Sequence, residues 1–213
     1  MLALDEEGVP VIQARIAERL GRSAPSVSEM LERLSDDGYV SRNGRRLTLT
    51  ESGRGLAEKV VRKHRLAERL LVDVIGLEWH KVHREAGRWE HVISDDVEAR
   101  LVELLGDPAT CPHGNPIPGS HSSAPTVPTR PLTEVAAGER VRLLRVSEEV
   151  ELNLGSLTLL DESGFVPGAV AMVGTRDPDG NLNLTVEGAE GAKGVSDVRL
   201  PRNLSDRLFV GAP

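Results

Sequence analysis

The chain has 213 residues and a formal net charge of −7, from 26 basic and 33 acidic side chains, which is long enough for one or two small domains. Its aromatic residues, two Trp, one Tyr and two Phe, are too few for a stacking platform that binds single-stranded nucleic acid. The lone cysteine, Cys111, excludes an intrachain disulfide and a cluster of zinc-bound thiolates. The acidic balance also weighs against nucleic acid as a partner. No apolar run could cross a membrane and no signal peptide is evident, so we expect a cytoplasmic protein with no membrane partner.

The first fifty residues have the pattern of a winged helix-turn-helix. Apolar residues recur at helical spacing up to Gly21, and Ser23 is placed to cap a second helix. The residues that follow alternate around Asn43-Gly44, a strong signal for a two-residue β-hairpin. Helix, short turn, helix and hairpin together predict a winged DNA-binding fold for residues 1–50.

A helical domain is predicted for residues 51–118. We expect a long helix from Thr50 to about Ile75, broken by Gly76, and two further helices over about 78–92 and 94–105. The long helix is expected to bury the apolar residues Leu56, Val60, Ala67, Leu71 and Val74. A helix-turn-helix usually needs a means of self-association, and these helices could supply it, which predicts a homodimer.

Proline, glycine and serine interrupt the helical pattern between Cys111 and Pro131. Their density predicts a turn-rich exit followed by a flexible linker over 119–138, without regular structure. Short alternating segments then predict a small five-stranded barrel over 139–213. Its expected strands are Val141–Val146, Leu157–Leu160, Val170–Val173, Leu182–Val186 and Val198–Leu200. The predicted fold class is therefore α+β, with a winged helix-turn-helix, a helical domain and a β-barrel.

The helix after Ser23 is the candidate DNA-recognition helix. Its first turns present hydroxyls for phosphates and the Glu29 carboxylate for a cytosine amino group, while the hairpin arginines suit the flanking backbone. The predicted DNA-binding residues are Gln13, Ser23, Pro25, Ser26, Ser28, Glu29, Arg33, Arg42, Arg45 and Arg46. The alternative is an ordinary exposed helix and a wing that docks a protein. The agreement of hairpin, helix spacing and capping favours DNA.

A second set of residues combines imidazoles and carboxylates on consecutive helices. His64 and Glu68 are four residues apart and so share one helix face. The next helix carries a second such face, made of His80, His83, Gly87, Glu90 and His91. Imidazole together with carboxylate suits Mn, Fe, Co, Ni or Zn. Solvated faces with ordinary salt bridges are the alternative for any one pair, whereas two such faces on adjacent helices favour a metal site.

Other patterns that could carry chemistry are weak. Cys111 and His113 lie two apart in the proline-rich turn, and we interpret them as a fortuitous loop pair and not as metal ligands. The chain has no Gly-x-Ser-x-Gly elbow and no phosphate-binding glycine loop. The sequence therefore does not predict an enzyme, and a metallohydrolase built on the His/Glu cluster is the least favoured alternative.

Longer strings of residues resemble the diphtheria toxin repressor family. They are Arg-Lys-His-Arg-Leu-Ala-Glu-Arg-Leu-Leu (62–71), Glu-Ala-Gly-Arg-Trp-Glu-His-Val-Ile-Ser-Asp (85–95) and Gly-Asn-Pro-Ile-Pro-Gly (114–119). With Ala-Arg-Ile-Ala-Glu-Arg-Leu (14–20) and Ser-Ala-Pro-Ser-Val-Ser (23–28), the resemblance covers essentially the whole chain. The resemblance implies a metal-dependent transcriptional repressor with a winged-helix domain, a helical metal-binding and dimerisation domain and a C-terminal SH3-like (FeoA-like) domain.

The resemblance also implies an ancillary metal site. His64, Glu68 and His83 match three of its ligands, and Glu148 in the C-terminal domain matches a carboxylate ligand. Glu151 stands where iron-type members have a glutamine, and a carboxylate at that position is still a competent hard ligand.

Glu90 and His91 match two ligands of the family's primary site, with two departures. Gly87 stands where iron-type members have a cysteine and manganese-type members usually have a glutamate. We also expect the first helix to be truncated, without its metal ligand, so that water, a backbone carbonyl or His80 would complete the shell. Loss of the thiolate favours hard ligands, and hence Mn²⁺ slightly over Fe²⁺. Related repressors often have a glutamine at the position of Glu29, so the operator sequence does not carry over.

We therefore predict a cytoplasmic, homodimeric, metal-dependent repressor of metal-uptake genes. A divalent cation, Mn²⁺ or Fe²⁺, is expected to act as corepressor and to promote binding to a palindromic double-stranded operator. The alternative is a metal sensor or buffer protein whose helix-turn-helix has lost specific DNA binding, which the Glu29 departure and the truncated first helix motivate.

Overall fold

The computed structural model describes residues 1–122, 128–187 and 196–213, and these divide into two units, 1–62 and 63–213. The middle of the predicted linker, residues 123–127, lies outside the described residues. Within the described ranges, no helix is both long enough and apolar enough to cross a membrane.

The first unit begins with three helices and a β-hairpin. They are α1 Leu2–Glu6, α2 Gln13–Leu20, α3 Ala24–Asp36, β1 Val40–Asn43 and β2 Arg46–Leu49. Helix α2 ends where Gly21 adopts a left-handed φ of 58°, and α3 begins where the Ser23 hydroxyl accepts a hydrogen bond from the Ser26 amide. The two strands pair antiparallel across the Asn43-Gly44 turn.

An aliphatic core joins the helices of this unit to the hairpin. Its buried members are Leu4, Val11, Ile16, Val27, Leu31, Val40 and Leu47. Val27 and Leu31 are four residues apart on α3, so one face of that helix is buried and the rest remains exposed. The winged helix-turn-helix predicted from capping, spacing and the hairpin signal is confirmed.

The helical region follows the hairpin directly. Helix α4, Glu51–Arg69, is extended by a π-helical turn, Leu70–Val74, and the chain leaves it at Gly76, which has a φ of 75°. A 3₁₀ turn, Trp79–Lys81, leads into helix α5, Val82–Trp89, and helix α6, Asp95–Leu105, is capped by the Ser94 hydroxyl.

The expected inward face of α4 is only partly correct. Ala67 and Leu71 are buried, whereas Leu56 and Val74 are about half exposed. Val74 lies in the π-helical turn, whose wider winding shifts the side chains away from the 3.6-residue period that the prediction assumed.

The C-terminal part of the second unit is built on an antiparallel sheet. Its described strands are β3 Arg130–Pro131, β4 Arg140–Val146, β5 Val170–Arg176, β6 Leu182–Val186, β7 Ser196–Leu200 and β8 Leu208–Gly211. They pair in the order β3-β8-β4-β5-β6-β7. Three short helices accompany the sheet: α7 Glu148–Glu151, α8 Leu154–Glu162 and α9 Arg202–Ser205. The α+β class and its three-part composition are confirmed.

One predicted strand is wrong, because residues Leu157–Leu160 lie in α8. The Asn153 side chain accepts a hydrogen bond from the Ser156 amide at 3.0 Å and so caps that helix. Leu157 and Leu160 are three residues apart, which places both on the buried face. Two short strands that the sequence did not predict, β3 and β8, complete the sheet.

The segment after α6 is turn-rich and contains no helix or strand up to Ser122, as its composition predicted, but much of it is closely packed. Cys111, His113, Asn115 and Ile117 are buried, and the Val146 amide of β4 donates a 2.9 Å hydrogen bond to the His113 carbonyl. The end of the predicted linker also belongs to the β domain, since β3 starts at Arg130 and Leu132 is fully buried. Hydrogen bonds to a neighbouring strand replace the regular structure that proline and glycine disfavour.

Candidate functional site

Two helices and the β domain bring four potential metal ligands together. Helix α4 supplies His64 and Glu68, α5 supplies His83 and α7 supplies Glu151. His64 Nε2 lies 3.1 Å from Glu68 Oε1 and 3.0 Å from His83 Nδ1. His83 Nδ1 lies 3.0 Å from Glu68 Oε1 and 2.8 Å from Glu151 Oε2. We call these four residues the His/Glu centre.

The spacing of these atoms fits one metal ion. Nitrogen and oxygen ligands lie about 2 Å from a first-row divalent cation, and ligands around the same ion are therefore about 3 Å from one another. The measured separations in the His/Glu centre are 2.8 to 3.1 Å. The two imidazoles and two carboxylates match the nitrogen and oxygen donors that Mn²⁺, Fe²⁺ or Zn²⁺ accepts.

The charge of the centre also fits a divalent cation. Burial lowers the pKa of His64, but hydrogen bonds with Glu68 and Glu90 outweigh it and raise that pKa to about 9. Burial likewise lowers the pKa of His83, and hydrogen bonds with Glu151 and Glu68 raise it to about 10. These values favour imidazolium near neutral pH, although the 3.0 Å contact between His64 Nε2 and His83 Nδ1 has room for a proton on only one of the two nitrogens. A divalent ion would therefore displace imidazolium charge that lies beside two carboxylates.

Glu68 belongs to a second group of potential ligands, with Cys111 and His113. His113 Nδ1 lies 3.4 Å from Glu68 Oε1, and both ring nitrogens of His113 and Glu68 Oε2 are buried without a well-formed hydrogen bond among the described residues. Burial tends to raise the pKa of Glu68, yet the charge of His113 and hydrogen bonds from the histidines hold that pKa well below its usual range. Buried polar atoms without a hydrogen bond, here Glu68 Oε2 and His113 Nε2, are consistent with a group that binds cations.

The interpretation of Cys111 and His113 as a fortuitous loop pair did not anticipate that the structure places both beside Glu68. The Trp79 ring packs on His113 with ring centroids 4.6 Å apart, and Trp79 Nε1 donates to the Pro112 carbonyl at 3.0 Å. These contacts hold the segment against the 3₁₀ turn Trp79–Lys81. A cysteine and a histidine two apart are a possible ligand signature, but the local sequence does not specify which helix the turn contacts.

Two predicted primary-site residues lie beside the His/Glu centre and not in it. Glu90 Oε2 is 2.6 Å from His64 Nδ1, and Glu90 Oε1 is 3.1 Å from His91 Nε2, whose side chain is 70% exposed. A Cβ on Gly87 would have no atom within 4 Å, so that position contributes neither a ligand nor a packing contact. His80 does not complete this shell, because its Nδ1 lies 2.5 Å from Asp161 Oδ2 of α8.

Glu148, the other predicted ligand from the β domain, lies near the centre without joining the four. One of its carboxylate oxygens is 4.0 Å from a guanidinium nitrogen of Arg65. Burial, and then the charge of Glu151, raises the pKa of Glu148. Glu148 is therefore placed to adjust the charge around the centre from the same helix that supplies Glu151.

The predicted DNA-binding residues form an exposed surface on the first unit. Most of them are exposed on the start of α3 and on the hairpin, namely Ser23, Pro25, Ser26, Glu29, Arg33, Arg42, Arg45 and Arg46. Gln13 and Ser28 are half-buried and already paired: Gln13 Nε2 donates to the Ala24 carbonyl at 3.1 Å, and the Ser28 hydroxyl contacts Glu32 at 3.4 Å. Gln13 thus ties α2 to the start of α3.

Two domain families match this chain. The one described as "Iron dependent repressor, N-terminal DNA binding domain" matches residues 1–46. The one described as "Iron dependent repressor, metal binding and dimerisation domain" matches residues 50–119 and so includes His64, Glu68 and His83.

Similar proteins match this chain over most of its length. The iron-dependent repressor IdeR of Mycobacterium tuberculosis (strain ATCC 25618 / H37Rv) is 46% identical over 217 residues, which cover 97% of this chain and 91% of the relative. The diphtheria toxin repressor of Corynebacterium diphtheriae is 45% identical over 196 residues, covering 88% and 85%. A solved manganese-dependent transcriptional repressor in complex with manganese superposes with a TM-score of 0.81 at 32% identity, covering 96% of this chain and 92% of that one. The similar proteins thus include some named for iron and some named for manganese.

Proposed function

The chain belongs to the iron-dependent repressor family, and on that premise we propose that cation binding at the His/Glu centre controls its binding to operator DNA. The protein is a metal-dependent, homodimeric, DNA-binding transcriptional repressor and not an enzyme, since both matching domains are those of a repressor. Because it binds operator DNA, we propose that it acts in the cytoplasm. We also propose that the genes it represses are those for metal uptake.

The observation that carries the proposal is the convergence of His64, Glu68, His83 and Glu151 at ligand spacing. A bound divalent cation would supply electrostatic bridging between helices α4 and α5 and the β domain. The chain's own part is to hold four donor atoms at matching distances and to release protons from the imidazoles. A cation that binds the DNA-competent state more tightly then shifts the population toward that state.

The nature of the donors supports Mn²⁺ slightly over Fe²⁺ as the physiological cation. The His/Glu centre contains no sulfur ligand, and nitrogen with hard carboxylate oxygen suits Mn²⁺. Cys111 lies in the neighbouring group and shares Glu68 with the centre, so a thiolate is within reach of softer ions. Burial raises the pKa of the Cys111 thiol well above its usual range, which keeps it protonated when no cation is bound.

For DNA binding, we propose that Ser23 and residues 24–33 of α3 enter the major groove and that the hairpin arginines contact the flanking phosphates. The exposure of Ser26, Glu29 and Arg33 supports this placement. The proposed division of the chain is 1–50 for DNA binding, 51–118 for metal binding and dimerisation, 119–138 for a connection and 139–213 for an SH3-like domain.

The experiment is an electrophoretic shift titration on an operator selected from random duplex DNA. We expect micromolar Mn²⁺, or Fe²⁺ without oxygen, to increase the DNA affinity of the wild-type protein at least about tenfold, a coupling of about 1.4 kcal/mol. His83→Ala should lose most of this increase, because it removes one of the four donors.

His121→Ala is the matched control, since His121 is an exposed histidine whose described contact is with Asp107. It should respond to the cation as the wild type does. A DNA affinity that does not change with either cation contradicts the proposal. Tight metal binding without any selected DNA site would instead support the metal sensor or buffer.

A further inference from the structure

Glu90 occupies the outer side of His64, opposite the His/Glu centre. The Glu90 backbone caps the C-terminus of α5, and its Oε2 lies 2.6 Å from His64 Nδ1. The other ring nitrogen, His64 Nε2, faces Glu68 and His83 at 3.1 and 3.0 Å. The imidazole is thus held by Glu90 at Nδ1, and its Nε2 faces the other ligands of the His/Glu centre.

This arrangement decides which nitrogen of His64 can bind a cation. A neutral imidazole has one N–H donor and one lone pair. When Nδ1–H donates to Glu90, the lone pair is at Nε2, on the side of the other three ligands. A carboxylate behind a ligating histidine also makes the ring a stronger base and fixes its orientation.

The surroundings of Glu90 offer fewer donors than the His/Glu centre does. Among the described residues its carboxylate contacts His64 and His91, and Gly87, one turn earlier, has no side chain to add. The groups of three or more potential ligands found in the described chain do not include Glu90 or His91. One oxygen of Glu90 is also already committed to Nδ1 of His64.

We propose that Glu90 is a positioning residue that orients His64 for the His/Glu centre, and that it is not itself a ligand of a separate metal site. The inference rests on the proposed function, because it assigns Glu90 a role in the same centre. It explains how Glu90 contributes to metal binding in a chain with glycine at position 87.

The experiment measures free Mn²⁺ by electron paramagnetic resonance during titration of wild-type protein and variants, all at one pH. Glu90→Ala should lower the affinity of the His/Glu centre by about 10- to 100-fold, the usual cost of losing such an outer carboxylate. The number of ions bound per chain should not change. Glu90→Gln keeps a carbonyl that can accept from Nδ1 and should fall between Glu90→Ala and the wild type.

A second readout does not depend on affinity. With diamagnetic Zn²⁺ bound, ¹H–¹⁵N spectra of histidine side chains should show His64 protonated at Nδ1 in the wild type and in Glu90→Gln. Glu90→Ala should lose the downfield Nδ1 proton that the carboxylate holds. A wild-type His64 protonated at Nε2 would overturn the inference.

Two further variants separate the possible outcomes. If Glu90 and His91 were ligands of their own ion, Glu90→Ala and His91→Ala would each remove one ion per chain, which contradicts a positioning role. If His83→Ala weakens binding but Glu90→Ala does not, this inference fails and the proposed function stands. If His83→Ala also leaves binding unchanged, the His/Glu centre itself is wrong. His121→Ala again serves as the neutral control.

Discussion

His64 and His83 hold protons that must leave before a cation can bind. Hydrogen bonds with Glu68 and Glu90 raise the pKa of His64 to about 9, and those with Glu151 and Glu68 raise the pKa of His83 to about 10. An imidazolium has no lone pair for a metal. Near neutral pH, cation and protons therefore compete for the same nitrogens.

We expect the apparent affinity for Mn²⁺ to rise from about pH 6 to about pH 9, with about one to two protons released per ion near neutral pH. Isothermal titration calorimetry in buffers of different ionisation enthalpy measures this number. His83→Ala should reduce the number of protons released. An affinity that is flat over this range would show that the two histidines are neutral in the metal-free protein.

The stability of the metal-free protein should follow the opposite trend. Folding raises the pKa of both histidines above the ordinary 6.5, so the contacts stabilise the fold fully below about pH 6.5. That stabilisation is lost as the pH rises through about 9 to 10. Thermal melts with and without Mn²⁺ should therefore diverge as the pH increases.

At the scale of single residues, local spacing predicted part of the site. His64 and Glu68 share a helix face because they are four apart, and that relation survives in the structure. The approach of His113 to Glu68 was not predictable in the same way. It depends on Trp79 and on Val146, which lie far from His113 in the sequence and hold the turn in place.

At the scale of secondary-structure elements, the segment 111–117 connects the metal-binding helices to the β domain. Asn115 Nδ2 donates to the Val146 carbonyl at 3.0 Å and to Glu151 Oε1 at 2.5 Å, which leaves Glu151 Oε2 facing His83. Gly114 makes this approach possible, because it has a φ of 86° and a Cβ there would lie 2.0 Å from the Leu144 carbonyl oxygen.

Gly114→Ala should therefore lower the free energy of unfolding by at least about 2 kcal/mol, through the backbone clash and the unfavourable φ. The Mn²⁺ affinity should fall with it, since Asn115 would no longer hold Glu151. Urea denaturation followed by circular dichroism measures the first effect. Gly55→Ala, in an open position of α4, is the control and should be neutral or slightly stabilising. Equal behaviour of the two variants would contradict the close packing at Gly114.

Helix α8 shows where hydrophobic periodicity alone could not predict the type of secondary structure. The run Leu157-Thr158-Leu159-Leu160 is too short to distinguish a strand from a turn of buried helix by periodicity alone. The Asn153 cap was the available signal for a helix. By contrast, the ends of α2 and α3 and the hairpin were predictable because Gly21, Ser23 and Asn43-Gly44 each act through local geometry.

At the scale of the whole molecule, the repressor functions as a homodimer, and α6 offers a candidate surface for the partner copy. Val97 and Leu104 are seven residues apart and so lie on one face of α6, where both are exposed. They fall within residues 50–119, which match the metal binding and dimerisation domain. An exposed apolar stripe in that domain is suited to burial against a second chain.

Leu104→Glu should weaken the dimer at least about tenfold, because a carboxylate at a buried apolar contact costs more than about 1.4 kcal/mol. Sedimentation velocity across a range of protein concentrations measures the shift to monomer. The control is Leu152→Glu, which changes a leucine of similar exposure (58% against 63%) outside the matched domain. If both variants remain dimeric at the wild-type concentration, the interface lies on another face.

The His/Glu centre joins residues that are roughly 90 positions apart in the chain, from His64 on α4 to Glu151 on α7. An ion that binds both ends acts as a removable crosslink, and crosslinks that close long loops restrict the unfolded chain most. The loaded protein would then open less often and present fewer cleavable segments to proteases. Metal supply would in this way set the lifetime of the repressor in the cell as well as its occupancy of the operator.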